Sequence, residues 1–388
     1  MNSVANNYNR KKIVFSHGKG IYLFTNDGEK YIDLAAGIAV NLLGHSNKDL
    51  INALNAQSRK LWHVSNLYEI EEQVTLANKL TSCSFAHKVF FCNSGAEAVE
   101  CTIKAARRYH FSKGKPEKTE IITFKGSFHG RTLGTIAAAS NSSHLEGFGE
   151  PLKGFVSIER NDINQLKKAC NEKTAAILIE PVQGEGGINV FDREFINSLQ
   201  VIAKEMDLLI LFDEVQCGVG RTGKIFAYQW FDIKPDVMAL AKGLGGGFPI
   251  GACLMRDDIA EALIPGTHGS TFGGNPLAMA VGNCVMDIVN KVDFLSNVEK
   301  NGLFFKNQLD KLCEKYPNVI AEIRGLGLMI GIKCSVANNL LANKLYENGI
   351  LTVNAADNVI RILPPLNITM SEIKKVMSLF EKSIKEIL

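Results

Sequence analysis

The chain has 388 residues, 46% hydrophobic and 21% charged, an ordinary composition for a globular protein with room for two or three domains. Its 43 lysines and arginines nearly balance 40 aspartates and glutamates, giving a formal charge of +3. That balance, with no block of like charges, argues against nucleic acid or an anionic membrane as the main partner.

No apolar stretch nears the roughly 18 residues needed to span a bilayer. The opening "MNSVANNYNRKK" lacks the apolar core of a signal peptide, so a cytoplasmic location is expected. The nine cysteines are scattered and form no C-x-x-C pair. They read as small core residues in a reducing compartment rather than as a zinc site or disulfide framework. The eight histidines form no H-E-x-x-H pattern, and no metal site is expected.

In chain order, "YLFTNDGEKYIDLAAG" (22–37) predicts a hairpin, and "KVFFCNSGAEAVECTIKAARRYH" (88–110) predicts a strand, a turn and a helix. Three later runs share one design. "AAILIEPV" (175–182), "LLILFDEV" (208–215) and "VMALAK" (237–242) are continuously apolar and then meet a charged residue. Unbroken apolarity suits strands buried on both faces of a parallel sheet, and the spacing leaves room for a crossover helix each time. "DREFINSLQVIAKEMD" (192–207) has helical periodicity and fits the first crossover. In such a sheet ligands bind beyond the carboxyl ends of the strands, where Glu180, Asp213 and Lys242 fall.

Beyond residue 285 the texture changes. Segments 318–334 and 349–365 predict strands with turns, and "SEIKKVMSLFEKSIKEIL" (371–388) predicts an amphipathic helix covering a small sheet. The chain thus reads as an α/β protein in three parts. These are an N-terminal segment (1–45) packed with the small domain, a large domain (46–285) with a mostly parallel sheet between helices, and a smaller α+β domain (286–388).

Lys242 ends the apolar run "VMALA" and is followed by Gly243, Gly245, Gly246 and Gly247. A P-loop has its glycines before the lysine and Ser or Thr directly after it, so that device is excluded. "GLGGGF" also misses the dinucleotide fingerprint, which leaves a nicotinamide-dependent oxidoreductase as a distant alternative. A surface lysine is the plainer alternative, but the apolar approach disfavours it. Desolvation lowers a lysine's pKa, and the free amine forms Schiff bases with aldehydes. Pyridoxal 5′-phosphate (PLP) is such an aldehyde, and it needs an acid opposite its ring nitrogen. Asp213, at an adjacent strand end, can serve. The phosphate needs an anion site, and Ser94, Gly95 and Ala96 open a helix in "NSGAEAVE". A plain capping box, Ser94 with Glu97, is the competing reading. The glycines after Lys242 are assigned the task of keeping the lysine's path clear.

The motifs "NSGAEA", "FHGRT" (128–132), "EPVQGEGG" (180–187), "LFDEVQCGVGRTG" (211–223), "ALAKGLGGGFPIGA" (239–252), "HGSTFGGNP" (268–276) and "VIRILPPL" (359–366) occur in that order. Together they resemble the class III, fold-type I PLP-dependent aminotransferases along nearly the whole chain, and within them the acetylornithine branch. The resemblance implies that Lys242 carries the cofactor and Asp213 faces its ring nitrogen. It also implies that Gln216 bonds the phenolic oxygen, that Val215 and Phe128 sandwich the ring, and that Gly95 and Ala96 hold the phosphate. Thr271 would complete that phosphate site from a neighbouring subunit, making a homodimer with shared active sites.

For substrate, the resemblance gives Arg131 a carboxylate of the amine donor and places Ser270 nearby. It makes Glu185 and Arg361 a switch: Glu185 neutralises Arg361 while an ω-amine reacts, and the α-carboxylate of 2-oxoglutarate then displaces it. The implied small-molecule substrates are N²-acetylornithine and 2-oxoglutarate, in arginine biosynthesis, with succinyl-diaminopimelate possible as well. Ornithine and 4-aminobutyrate aminotransferases of the same fold remain open. Glu214 and Cys217 are read as structural.

Overall fold

The computed structural model describes residues 3–139 and 141–388. Near the N-terminus β1 (Phe15–Lys19), β2 (Tyr22–Thr25) and β3 (Lys30–Asp33) form an antiparallel meander, so β1 extends the hairpin that the sequence predicts. The centre is a seven-stranded sheet. Its members in chain order are β4 (Lys88–Cys92), β5 (Glu120–Phe124), β6 (Phe155–Ile158) and β7 (Thr174–Ile179), then β10 (Leu209–Asp213), β11 (Val237–Leu240) and β12 (Gly251–Met255). Between β7 and β10, β8 (Val182–Gln183) and β9 (Asn189–Val190) close a small antiparallel loop.

Across the central sheet the order is β4-β12-β11-β10-β7-β5-β6, and β12 alone runs against the others. Every residue of β7, β10 and β11 is buried, which is the physical reason for their unbroken apolarity. Helix Arg193–Glu205 provides the crossover from the β7 side to β10 and buries Phe195, Ile196, Leu199 and Ile202.

The next connection departs from expectation. No α-helix joins β10 to β11; residues 214–236 make an irregular excursion whose only helix is the 3₁₀ turn Ala227–Trp230. Three glycines and positive φ at Val219, Gly220 and Gly223 prevent a continuous helix here. The excursion instead runs under the C-terminal part of the chain, where Leu328 N–H bonds Arg221 C=O (3.1 Å). The Arg221 side chain is buried and donates to the carbonyls of Leu328 (3.1 Å) and Pro364 (2.6 Å).

After helices Pro276–Val289 and Val292–Lys315 come β13 (Ile320–Leu326), β14 (Met329–Cys334), β15 (Ile350–Leu351), β16 (Val353–Ala355) and β17 (Val359–Ile362). The order β13-β14-β17-β16 makes a second, antiparallel sheet, while β15 pairs in parallel with β3. Helix Met370–Lys385 starts at a capping box between Thr369 and Glu372 and buries Ile373, Val376, Phe380 and Ile384 against the protein. Among the described residues no helix is long and apolar enough to cross a membrane. All nine cysteines are free thiols.

Helix Val292–Lys315 touches the β13–β14 turn through two glycines. A Cβ on Gly302 would lie 2.5 Å from the carbonyl carbon and oxygen of Gly327, which is backbone and cannot rotate away. We therefore expect Gly302→Ala to cost about 1–3 kcal/mol, measured as a lower urea midpoint with an unchanged m-value.

Candidate active site

Parallel register sets the chemistry side by side. Phe212 pairs with Ile179, which brings Glu180 level with Asp213; Asp213 pairs with Ala239, and Lys242 follows at the same end of the sheet, just past β11. Glu180, Asp213 and Lys242 accordingly line one cavity of about 410 Å³. The same cavity is lined by Ser94, Gly95 and Ala96 from the start of helix Gly95–Ser112, by Phe128, His129 and Arg131, and by Val215 and Gln216.

Lys242 is half-buried, with φ at +42°, an uncommon conformation for a residue with a side chain. Among the described residues no hydrogen bond or ion pair holds its ammonium. Burial lowers its pKa; the carboxylates of Glu185 and Asp213 oppose that shift, and the Arg361 guanidinium adds to it. The result is an amine that gives up its proton more readily than an ordinary lysine. The glycines behind it do something other than clear its path. Gly246 and Gly247 take positive φ, and Cβ atoms on Gly245 and Gly246 would strike Ile250 (2.7 Å) and Leu50 (2.8 Å). They serve a tight turn and backbone packing.

Asp213 is buried and doubly held. Its Oδ1 accepts the Val215 N–H (3.0 Å), and its Oδ2 lies 2.8 Å from His129 Nδ1. Burial alone would disfavour the imidazolium, but the hydrogen bond to Asp213 and the charges of Asp213 and Glu180 outweigh it and raise the His129 pKa. Among the described residues, His129 Nε2 is buried without a partner. Glu180 accepts backbone N–H bonds from Phe128 (2.8 Å) and Gly184 (3.1 Å), and burial pushes its pKa up to about 7. Neither His129 nor Glu180 received a role from the sequence, although both stand in motifs that point to the site. A polar residue inside such a motif was the available signal.

At the start of helix Gly95–Ser112, Ser94 caps through the Glu97 N–H (3.2 Å), and Glu97 accepts from Asn93 N–H (2.8 Å). Both readings of "NSGAEA" therefore hold together: the cap uses Ser94 and Glu97, and the first helical N–H groups, those of Gly95 and Ala96, have no intrahelical acceptor. Val215 packs on this turn, since a Cβ on Gly95 would lie 2.6 Å from its Cγ1. Phe128 carries the Arg131 guanidinium at 5.5 Å from its ring centre.

Four expected residues stand outside the cavity lining. Arg361, fully buried on β17, forms a two-pronged ion pair with Glu185 (2.6 and 3.0 Å) and also donates to Gln216 Oε1 (3.2 Å), which does line the cavity. Ser270 accepts from Asn93 Nδ2 (3.2 Å) and Gly273 N–H (3.0 Å), and Thr271 is exposed. No cluster of three or more potential metal ligands lies among the described residues.

The residues fit PLP: a lysine with a lowered pKa, a buried carboxylate fixed by two donors, and free helix N–H groups meet in one cavity. The family model of the class-III aminotransferases matches residues 3–384. The chain belongs to this family. It is a PLP-dependent aminotransferase of fold-type I, acting on small molecules, as the sequence motifs imply. The acetylornithine aminotransferase of Brucella suis biovar 1 is 52% identical over 98% of the chain and 94% of its own length. That of Agrobacterium fabrum is 53% identical over 96% and 93%. Among solved structures, the ornithine aminotransferase of Toxoplasma gondii superposes with a TM-score of 0.95 at 31% identity, covering 99% of this chain and 93% of that one. The N-acetylornithine aminotransferase of Stenotrophomonas maltophilia gives 0.86 at 37% identity, covering 98% and 97%.

Beside Asp213 in this aminotransferase, Glu214 is buried and accepts the N–H groups of Ala227 (2.6 Å) and Tyr228 (2.7 Å); burial pushes its pKa up to about 8. An acid with a raised folded pKa keeps its proton longer in the native state, so this residue's contribution to stability falls as pH rises from its ordinary value of 4.5 to about 8. Glu214→Gln has no such titration. Urea unfolding at several pH values should find the variant gaining on the wild type as pH increases from 5 to 8.

Proposed function

We propose that this aminotransferase moves the δ-amino group of N²-acetylornithine to 2-oxoglutarate, giving N-acetylglutamate 5-semialdehyde and glutamate. The observation that carries the reading is the buried Arg361 guanidinium, capped by Glu185 and bonded to Gln216 beside the cavity. A permanently bare arginine there would favour α-amino acids. A capped one leaves the position neutral for an ω-amine and can be uncovered for the α-carboxylate of an oxo acid. The near-full-length likeness to relatives named acetylornithine aminotransferases supports the same choice. A second reading, ornithine as donor, draws on the closer superposition with the Toxoplasma enzyme.

When bound, PLP supplies an aldehyde for the amine and a ring that accepts the electrons released when a substrate C–H bond breaks. The chain's own residues set up that chemistry. Lys242 would hold the cofactor, and its freed Nζ would take the proton from the substrate carbon bearing the amine. Asp213, kept in place by His129 and the Val215 amide, would hold the proton on the ring nitrogen. Ser94, Gly95 and Ala96 would bind the phosphate. Val215 and Phe128 would confine the ring, with Gln216 at its phenolic oxygen. Arg131, exposed and without an ion pair among the described residues, would orient a substrate carboxylate, with Ser270 nearby.

We infer a cytoplasmic homodimer in which Thr271 completes the partner's phosphate site. Trp62, Leu67, Tyr68 and Phe272 are exposed, and Asn66 ties their two segments together through the carbonyls of Ser270 (3.0 Å) and Gly273 (2.9 Å). Such an apolar surface favours cover by another subunit. We also divide the chain into segment 1–45, large domain 46–285 and small domain 286–388; the pairing of β3 with β15 supports grouping the first with the last.

Specificity constants for acetylornithine, ornithine and 4-aminobutyrate test the substrate: the first should exceed the others at least about tenfold, and a preference for ornithine would replace the reading. Lys242→Ala should lose at least about a thousandfold in turnover while its far-UV circular dichroism stays unchanged. In single-turnover experiments Arg361→Ala should damage the 2-oxoglutarate half-reaction more than the amine-donor half-reaction. Equal damage to both would refute the switch.

A further inference from the structure

We propose that Arg324 is a positioning residue that clamps the backbone of the Glu185 loop to the small sheet, so that only the Glu185 side chain moves when Arg361 is uncovered. Arg324 lies on β13, and its Nε donates to the Gly187 carbonyl (2.8 Å). Its Nη2 pairs with Asp357 Oδ2 (2.7 Å), whose other oxygen is taken by Lys333 (2.6 Å). Asp357 sits in the turn between β16 and β17, and in that turn the Ala356 N–H donates to the Glu185 carbonyl (2.9 Å). One arginine therefore grips both the loop and the turn that the loop leans on.

Other contacts leave the loop backbone little freedom. Gly184 N–H is held by Glu180 (3.1 Å), and Ile188 is fully buried against Gly331. Gly187 has φ at +111°, and a Cβ there would lie 2.8 Å from Arg324 Nη2 and 2.9 Å from the Ala356 carbonyl. The Glu185 carboxylate differs from its own backbone in this respect. Its side chain is 33% exposed, against 1% for Arg361, so it has a way out and the arginine does not. A planar, forked guanidinium can bond a carbonyl and a carboxylate at once; an ammonium cannot cover both with the same geometry.

The functional consequence is selectivity. With the clamp intact, Glu185 returns to Arg361 after each oxo-acid turnover and the site accepts an ω-amine. With the clamp lost, the loop strays, Arg361 stands uncapped more often, and glutamate competes as amine donor. This inference rests on the proposed acetylornithine reading.

The test uses the PLP-loaded enzyme with Arg324→Met, Arg324→Lys and Asp357→Asn. Single-turnover constants with acetylornithine and with glutamate give the first readout, and deuterium exchange of residues 182–190 gives the second. We expect Arg324→Met to lower the acetylornithine-to-glutamate ratio at least about fivefold and to speed exchange in this segment at least about tenfold, with helix Arg193–Glu205 unchanged. Arg324→Lys should recover part of both effects. Asp357→Asn, which keeps an oxygen acceptor, should shift both in the same direction by less. An unchanged ratio, or equal losses for both donors, would overturn the clamp. If the wild type itself rejects acetylornithine, the substrate reading fails, and the exchange result then decides whether the clamp stands.

Discussion

Everything in this site depends on parallel pairing at the centre of the sheet. Once β7, β10 and β11 lie side by side in register, the residue that ends or follows each strand leaves the sheet at one edge. Apolar side chains drive the pairing, because the strands are buried on both faces and can carry no charge along their lengths. Charge must wait for the strand end. There Glu180, Asp213 and Lys242 converge, and the same burial that excludes water from the strands sets the proton affinities of the glutamate and the lysine. Folding and chemistry thus share one cause.

The electrostatics are layered outward from Asp213. Its two oxygens are committed to the Val215 amide and to His129, which fixes the carboxylate before any ligand arrives. Glu180 spans two backbone amides one layer further out and ties the Phe128 turn to the loop that carries Glu185. Gln216 links the cavity to Arg361, so the ion pair on the small sheet is one hydrogen bond away from the catalytic space. Around Asp213, Glu180 and Gln216 the buried oxygens have protein partners, while among the described residues the Lys242 ammonium, His129 Nε2 and Arg361 Nε are left without one.

Much of this was legible in the sequence because the determining signals are local. Continuous apolar runs marked the strands, and the charged residues that follow or end them, Glu180, Asp213 and Lys242, do meet in one cavity. Family motifs then supplied roles for Gln216, Glu185 and Arg361. What stayed hidden depends on partners distant in the chain. His129 matters through Asp213, and Glu180 through Phe128 and Gly184; neither pairing has a periodicity to read. Spacing alone suggested a helix between β10 and β11, yet spacing does not distinguish a helix from an excursion. The glycines of 218–223 were the overlooked sign. The glycines after Lys242 misled in the opposite way, since absent side chains look like open space until neighbours such as Leu50 and Ile250 are seen to fill it.

That excursion also joins the two sheets. The Gly327 turn sits on Thr222 so closely that a Cβ at Gly327 would collide with its backbone, and Arg221 beside it threads into carbonyls of the C-terminal part. Sliding across such a contact would break buried hydrogen bonds with nothing to replace them. The excursion that leaves β10 after Asp213 is therefore also the seam that ties the C-terminal sheet to the central one, through buried bonds that a polar-to-apolar change at Arg221 would leave unmade.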